Sequence, residues 1–206
     1  DFLKRGYSLI FLARGKDGQT AAERVHSALE FADPEISIDH RHMYTVMEGD
    51  LFSLPEVAGR IDVICNASGA TSFAEKDRTE TMQINLHGTE RMLRLSYKHK
   101  HSEILYPSTA FVNDPNCPVA YERSLNCAST YRNPYAESKC WAESDIRNWA
   151  LRKEGCKVFI YRPSIIIGDS KTGFTTNFFG YYRYMRAFYV LKNIWNKKNN
   201  VEEEIY

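Results

Sequence analysis

A tyrosine, a lysine and a pair of hydroxyl groups have the types and the spacing that proton transfer requires. Residues 135–139 read Tyr-Ala-Glu-Ser-Lys, and Ser108 and Thr109 follow an apolar segment further upstream. On a helix, positions i and i+4 lie on one face, so Lys139 can lie beside the phenol of Tyr135. A neighbouring ammonium stabilises a phenolate and brings a phenol closer to the range of general acid–base catalysis. The hydroxyl of Thr109 or Ser108 would then hold a substrate carbonyl or alcohol by a hydrogen bond.

The elements that must position these groups alternate between strands and helices. Apolar runs predict strands at 8–13, 43–47, 61–65, 103–106 and 158–161. Helical spacing of apolar residues predicts helices at 20–31, 75–98 and 134–153. Such alternation implies parallel βαβ units and a sheet that is covered on both faces. The predicted fold class is therefore α/β, with a doubly wound, Rossmann-like parallel sheet.

Composition narrows the classes of function. The chain has 206 residues, 43% of them hydrophobic, and a formal charge of +1, which argues against a general nucleic-acid binder. We find no apolar run of the roughly 18 residues that a transmembrane helix needs and no signal peptide, so a cytoplasmic location is predicted. The histidines lack metal-ligand spacing, and no metal is predicted. Five cysteines without a C-x-x-C pair are interpreted as free thiols of a reducing compartment: Cys65, Cys117, Cys127, Cys140 and Cys156.

Several separate segments carry a resemblance to a known family. They are Asn66-Ala-Ser-Gly-Ala-Thr-Ser-Phe73, Asn85-Leu-His-Gly-Thr89, Tyr106-Pro-Ser-Thr109, Asn133-Pro-Tyr-Ala-Glu-Ser-Lys139 and Tyr161-Arg-Pro-Ser-Ile-Ile-Ile-Gly-Asp169. Their order and spacing resemble the extended short-chain dehydrogenases/reductases over residues 1–175. Within that family the chain is most similar to the thioester-reductase and fatty acyl-CoA reductase branch.

The resemblance implies roles for the groups named first. Tyr135 would be the acid–base group, and Lys139 would favour its charged form and bind the nicotinamide ribose. Thr109 would orient the substrate oxygen, with Ser108 as the competing assignment. The alternatives are an ordinary exposed pair on a helix and a hydroxyl that only caps a loop.

Arg14 bears on the choice of cofactor. It follows the predicted strand at 8–13, where an acidic residue would bind the adenosine ribose of NAD. An arginine at this place can accommodate a 2′-phosphate through its charge and forked hydrogen bonds, so NADP is favoured over NAD. Lys16 could share or take that contact, and the alternative is an ordinary surface arginine.

Further cofactor-binding residues are implied by the resemblance alone. Asp50 and Leu51 would flank the adenine, although both could simply be turn residues. Pro163 and Ser164 would lie over the nicotinamide. Tyr135 and Lys139 would contact the cofactor as well as act in catalysis. The remaining cofactor-binding residues are Asn66, Ala67, Ser68 and Asn85.

The sequence departs from the family pattern at its start. It lacks a Gly-x-x-Gly-x-x-Gly turn, so we expect the first strand, the glycine loop and most of the first helix to precede Asp1. Residues 1–173 are interpreted as a truncated NAD(P)-binding domain and 174–206 as the beginning of a substrate-binding region. The basic, aromatic segment 178–198 favours the first helix of that region, with contact to a membrane surface as the alternative.

The functional hypothesis is an NADP-dependent oxidoreductase that reduces an acyl thioester or carbonyl compound, either a small molecule or carrier-bound. One alternative is a nucleotide-sugar epimerase or dehydratase on the same scaffold. The other is a non-catalytic dinucleotide-binding module or an inactive fragment. The resemblance also implies a homodimer formed through the helices at 75–98 and 134–153.

Overall fold

Parallel strands alternate with helices along the chain, as predicted. The computed structural model describes residues 2–99, 102–114, 116–128, 130–153, 155–175, 178 and 180–199, with the backbone alone at 36–38. The helices are α1 Ala21–Ala32, α2 Pro34–Asp39, α3 Arg78–Met82, α4 Gly88–Lys98, α5 Pro134–Arg152 and α6 Tyr181–Asn199. The strands are β1 Leu9–Ala13, β2 Tyr44–Glu48, β3 Val63–Cys65, β4 Glu103–Pro107 and β5 Val158–Tyr161.

The strands form two parallel groups. β1 pairs with β2, and β4 lies between β3 and β5 in a separate three-stranded sheet. The parallel α/β class is confirmed, and the two groups have the order of a doubly wound sheet.

Local sequence explains where the helices begin. Thr20 caps α1 by accepting a hydrogen bond from the backbone N–H of Glu23, whose carboxylate accepts one in return from the N–H of Thr20. Asn133 caps α5 through the N–H of Ala136, and Pro134 occupies the first turn. The short helix α2 was not predicted.

The helix predicted at 75–98 is one helical stretch with a change of pitch. It begins with a 3₁₀ turn at Glu75–Asp77, continues as α3, widens to a π turn at Gln83–His87 and ends as α4. Such widened turns are often found at functional sites. Here the π turn contains the buried Asn85, whose side chain forms hydrogen bonds with two other elements.

The core lies between α4, α5 and β4. It consists of Met92, Leu93, Ile104, Tyr106, Ala142 and Ile146. Leu51, in the segment after β2, packs against this core, so it connects the two-stranded sheet to the three-stranded one.

Helix α6 leaves much of its apolar surface exposed. Tyr184, Phe188 and Trp195 are 67%, 67% and 59% exposed. Within the part of the chain that is described, none of the helices has both the length and the apolar character needed to cross a bilayer. Contact of α6 with a substrate-binding region or a membrane, and the division at 173/174, stay predictions.

The prediction that all five cysteines are free thiols is wrong. Cys127 and Cys140 form a disulfide with a Cα–Cα distance of 6.3 Å, whereas Cys65, Cys117 and Cys156 are free. The pairing depends on the connection before α5 folding back along that helix, which residue spacing does not reveal. Because disulfides are rare in reducing compartments, the cysteine argument for a cytoplasmic location is lost.

Candidate functional site

Helix α5 presents three polar residues at intervals of one turn. Tyr135 lies in its first turn and is half-buried, while Lys139 and Glu143 are buried, with exposed fractions of 6% and 0%. The spacing i, i+4, i+8 places all three on the face that packs toward the end of β4. Two of the predicted catalytic residues therefore share one helix face.

Lys139 is held at the end of β4. Its ammonium donates a hydrogen bond to the carbonyl oxygen of Pro107 over 3.0 Å and lies 4.9 Å from the centre of the Tyr106 ring. Burial lowers the pKa of Lys139 to about 8, because an apolar environment disfavours the charged form. The cation is thus placed beside the segment that leads into Ser108 and Thr109.

The two hydroxyls after β4 have different surroundings. Ser108 donates a hydrogen bond of 2.6 Å to the carboxylate of Glu143, so its hydroxyl proton is not available to a substrate oxygen. The hydroxyl of Thr109 accepts from the N–H of Phe111 at 3.3 Å and caps a 3₁₀ turn at Ala110–Val112. Among the described residues no acceptor receives the Thr109 proton. This geometry favours Thr109 over Ser108 as a donor to a substrate oxygen.

Phe73 connects Tyr135 to this segment. Its ring centre lies 5.7 Å from that of Tyr135 and 6.3 Å from that of Phe111. Phe73 is 57% exposed, so the three rings lie at the surface rather than in the core. No role was predicted for Phe73, although this residue ends the segment Asn66-Ala-Ser-Gly-Ala-Thr-Ser-Phe73.

The loop after β3 lies beside Lys139. Asn85 holds it by accepting from the N–H of Ala70 at 2.8 Å and donating to its carbonyl at 2.9 Å. The amide of Asn85 also donates to the hydroxyl of Ser138 over 2.9 Å. A Cβ atom built on Gly69 would lie 3.8 Å from the Lys139 ammonium nitrogen, so the loop backbone approaches the cation closely.

Asn66 and Ser68 brace the start of this loop. The side-chain oxygen of Asn66 accepts from the hydroxyl of Ser68 at 2.6 Å and from its N–H at 3.2 Å. Ala67 and Ser68 are exposed, whereas Asn66 is buried. The predicted cofactor contacts of Asn66 and Asn85 stay predictions, since both amides already form hydrogen bonds within the protein.

Pro163 and Ser164 follow β5 next to the same edge. The carbonyl of Pro163 accepts from the N–H of Ala110 over 3.0 Å, which aligns this segment with the one that carries Thr109. Ser164 is exposed. Because β4 and β5 are parallel, their carboxyl ends meet at one edge, where α/β sheets bind ligands.

A second cluster lies after β1 and β2. Arg14 and Lys16 are exposed, and Arg24 of α1 donates a hydrogen bond to the carbonyl oxygen of Arg14. The structure therefore places a second guanidinium, from Arg24, next to Arg14. Sequence reasoning missed Arg24 because only the tertiary fold brings α1 back to the end of β1.

Asp50 stands close to this cluster. Its carboxylate accepts from the backbone N–H groups of Ser53 and Phe52, each at 2.8 Å. These hydrogen bonds, with a smaller contribution from the charge of Arg14, lower the pKa of Asp50. The next residue, Leu51, turns its side chain toward the core and Gly88, which leaves its backbone for a contact with adenine. That contact stays a prediction.

Comparison with known proteins places the chain in a family. Residues 2–205 match the family described as male sterility protein. The chain is 34% identical over 137 residues to GDP-6-deoxy-D-mannose reductase of Pseudomonas aeruginosa, covering 63% of this chain and 43% of that protein. It is 23% identical over 184 residues to carboxylic acid reductase of Mycobacterium tuberculosis, covering 79% of this chain and 16% of that protein.

A solved structure supports the fold. The thiolation-reductase di-domain from an archaeal non-ribosomal peptide synthetase matches with a TM-score of 0.72 and 17% identity, over 93% of this chain and 54% of that one. The chain spans less than half the length of each of the two relatives named above. The predicted resemblance is confirmed: the chain belongs to the male sterility protein family, among the extended short-chain dehydrogenases/reductases.

Proposed function

We propose that the protein is an NADP-dependent oxidoreductase that reduces an acyl thioester or a carbonyl compound. The observation that carries this proposal is the placement of Lys139, one helical turn from Tyr135, at the end of β4 beside Thr109. A phenol, an ammonium and a hydroxyl donor at the carboxyl edge of a parallel sheet are the groups that carbonyl reduction needs.

The residues near the site fit a bound dinucleotide. The loop at 67–70 is built of small residues and approaches Lys139, so a ligand can lie close to its backbone. Bound NADPH supplies the hydride. Lys139 has three N–H donors and uses one on Pro107, which leaves two for a ribose and for the Tyr135 oxygen.

The protein's own groups would manage the proton and the substrate oxygen. Thr109 would donate a hydrogen bond to the carbonyl oxygen, and Tyr135 would deliver a proton to that oxygen as the hydride reaches the carbon. With a thioester, the C–S bond then breaks, the sulfur takes the proton and leaves as a thiol, and an aldehyde remains. Lys139 would stabilise the tyrosinate until solvent returns the proton.

The arginines near the end of β1 support NADP over NAD as the cofactor. The Arg24 guanidinium lies at the backbone carbonyl of Arg14, and guanidinium groups bind phosphates with forked hydrogen bonds. A single exposed arginine would be weak support, and the placement of Arg24 at the backbone of Arg14 adds a second arginine that supports a 2′-phosphate contact here. Lys16, also exposed, can add a third charge.

The similarity to a carboxylic acid reductase and to a reductase joined to a thiolation domain supports an acyl group bound as a thioester to a carrier. The relative at 34% identity, a GDP-6-deoxy-D-mannose reductase, supports the alternative of a nucleotide-sugar substrate on the same scaffold. A non-catalytic module has less support, because Tyr135, Lys139 and Thr109 are all present.

Turnover with matched substrates tests the proposal. NADPH oxidation is followed with an acyl-CoA, with an acyl group on a phosphopantetheinylated carrier protein, and with a GDP-linked keto sugar, each repeated with NADH. We expect thiol release with the thioesters and faster turnover with NADPH. Turnover with the keto sugar alone would support the nucleotide-sugar alternative. Cofactor binding without turnover on any substrate would contradict the proposed enzyme.

A further inference from the structure

Glu143 is a buried carboxylate outside the predicted site. Its side chain is fully buried, yet it accepts hydrogen bonds from three side chains, one on its own helix and one each from the residues that follow β4 and β5. They come from Ser108 at 2.6 Å, from Arg147 Nε at 2.9 Å, and from Arg162 Nε at 3.0 Å and Nη2 at 2.5 Å. Burial alone would raise the pKa of Glu143, but these hydrogen bonds hold it below its ordinary value.

The two arginines extend this network to the connection before α5. Arg162 donates to the carbonyl oxygens of Tyr121 and Ser124, at 3.2 and 2.8 Å. Arg147 donates to the carbonyl oxygens of Arg123 and Glu122, at 3.2 and 3.5 Å. A segment of irregular backbone, 121–124, is thereby fixed to the sheet through one carboxylate.

Glu143 also fixes the alignment of α5 with β4. Lys139 binds the carbonyl of Pro107, and Glu143, one turn further along the helix, binds the side chain of the next residue, Ser108. Thr109 follows directly. An ammonium can exchange its acceptor when a ligand binds, but a fully buried carboxylate paired with two guanidinium groups cannot leave them without a large cost. The hydrogen bond between Glu143 and Ser108 should therefore persist when a ligand binds.

We propose that Glu143 is a positioning residue for the site: it holds the segment that carries Thr109, the end of β5 before Pro163, and the segment 121–124 in one arrangement. Its catalytic consequence rests on the proposed function. Its positioning role does not, since that role follows from contacts within the protein.

Glu143→Asp is the informative variant. It keeps the charge for the arginines but shortens the side chain by one methylene, so the carboxylate cannot keep all three partners at hydrogen-bonding distance. The rate of backbone hydrogen exchange, measured by mass spectrometry, should rise at least about 10-fold in residues 108–112 and 121–124. This is the factor that the loss of one buried hydrogen bond would give. Exchange in α4, which carries none of these contacts, should stay unchanged.

Turnover provides the second readout. A shift of the Thr109 segment should lower kcat about 10- to 100-fold, whereas the Kd for NADPH should change less than about 3-fold, because a small misplacement costs rate more than binding. If the role of Glu143 were merely structural, its substitution would lower thermal stability and leave kcat per folded molecule unchanged. The matched control is Glu137→Asp, also an ion-paired glutamate of α5, bound to Arg78. It should leave both the exchange of the two segments and kcat unchanged.

A double-mutant cycle shows whether Glu143 acts through Ser108. If it does, Ser108→Ala combined with Glu143→Asp should lower kcat no further than Glu143→Asp alone, and Ser108→Thr, which keeps the hydroxyl, should retain activity. Additive losses would overturn the pathway through Ser108. Unchanged exchange in both segments of Glu143→Asp would overturn the positioning role itself. An inactive wild-type protein would contradict the proposed function, and the exchange experiment would still decide the role of Glu143.

Discussion

The ammonium of Lys139 donates a hydrogen bond to the carbonyl oxygen of Pro107 over 3.0 Å, so the cation is held at the end of β4 before any ligand arrives. The sequence places Lys139 one turn from Tyr135 but does not show this anchor. Because the lysine is buried, its pKa is lowered to about 8. The folded protein therefore binds this proton more weakly than the unfolded chain does.

Replacing this lysine should change how stability depends on pH. Below pH 8 the wild-type protein carries the full free-energy cost of the buried charge, and that cost disappears as pH rises from about 8 toward 10.5, the ordinary pKa of a lysine. Relative to Lys139→Met, the wild type should thus gain about 3 kcal/mol of unfolding free energy between pH 7 and pH 10.5. Urea unfolding at several pH values measures this difference.

The exposed lysine of the 3₁₀ turn at Glu75–Asp77 provides the control. Lys76→Met should follow the wild-type pH dependence throughout. A constant difference between the wild type and Lys139→Met across this pH range would show that the Lys139 proton is bound equally well in the folded and unfolded states.

If Arg14, after β1, and Arg24, on α1, bind the 2′-phosphate, their substitution should affect the affinity for one cofactor selectively. Arg14→Ala and Arg24→Ala should each raise the Kd for NADPH about 10- to 100-fold, as expected for the loss of charge-assisted hydrogen bonds. The Kd for NADH, which has no 2′-phosphate, should change little. Titration of intrinsic fluorescence measures both constants. Arg60→Ala, which removes an exposed arginine paired with Asp62, is the control. Equal losses for the two cofactors would contradict the phosphate assignment.

The spacing of apolar residues in the sequence predicted most of the strands and long helices. Strand β5 was predicted with its observed bounds, and β1, β4 and α5 within one residue. The features that were missed depend on contacts between distant parts of the chain. Arg24 reaches the backbone carbonyl of Arg14 across 10 positions, and Ser108 reaches Glu143 across 35 positions. No local pattern carries such information, because a buried carboxylate is recognisable only once its partners are placed.

The disulfide predicts that stability depends on reducing agent. Closing a loop with a sequence separation of 13 restricts the unfolded chain and contributes about 3 kcal/mol. Adding a reductant should therefore lower the Tm of the wild-type protein but not that of Cys127→Ser. The variant Cys117→Ser, which removes a free thiol, should respond like the wild type. A Tm of the wild type that is independent of reductant would contradict this pairing.

Removing the side chain of Asn85 should greatly lower the stability of the protein. In Asn85→Ala, the N–H and carbonyl of Ala70 and the hydroxyl of Ser138 lose their partner, which should lower the unfolding free energy by about 2–4 kcal/mol. Urea unfolding measures it. Thr81→Val is the matched control, because Thr81 is also fully buried but its hydroxyl has no partner among the described residues. That variant should be neutral or stabilising, and a loss comparable to that of Asn85→Ala would mean that packing, not hydrogen bonding, dominates here.

Single-turnover reduction by Tyr135→Phe tests the central claim most directly. Removing the phenolic hydroxyl should slow the chemical step about 100- to 10,000-fold, the usual contribution of a general acid, with a far smaller change in the Kd for NADPH. Tyr97→Phe, which alters a tyrosine 70% exposed on α4, should react at the wild-type rate. If Tyr135→Phe reduces its substrate as fast as the wild type, Tyr135 does not supply the proton, and the proposed reductase mechanism is wrong.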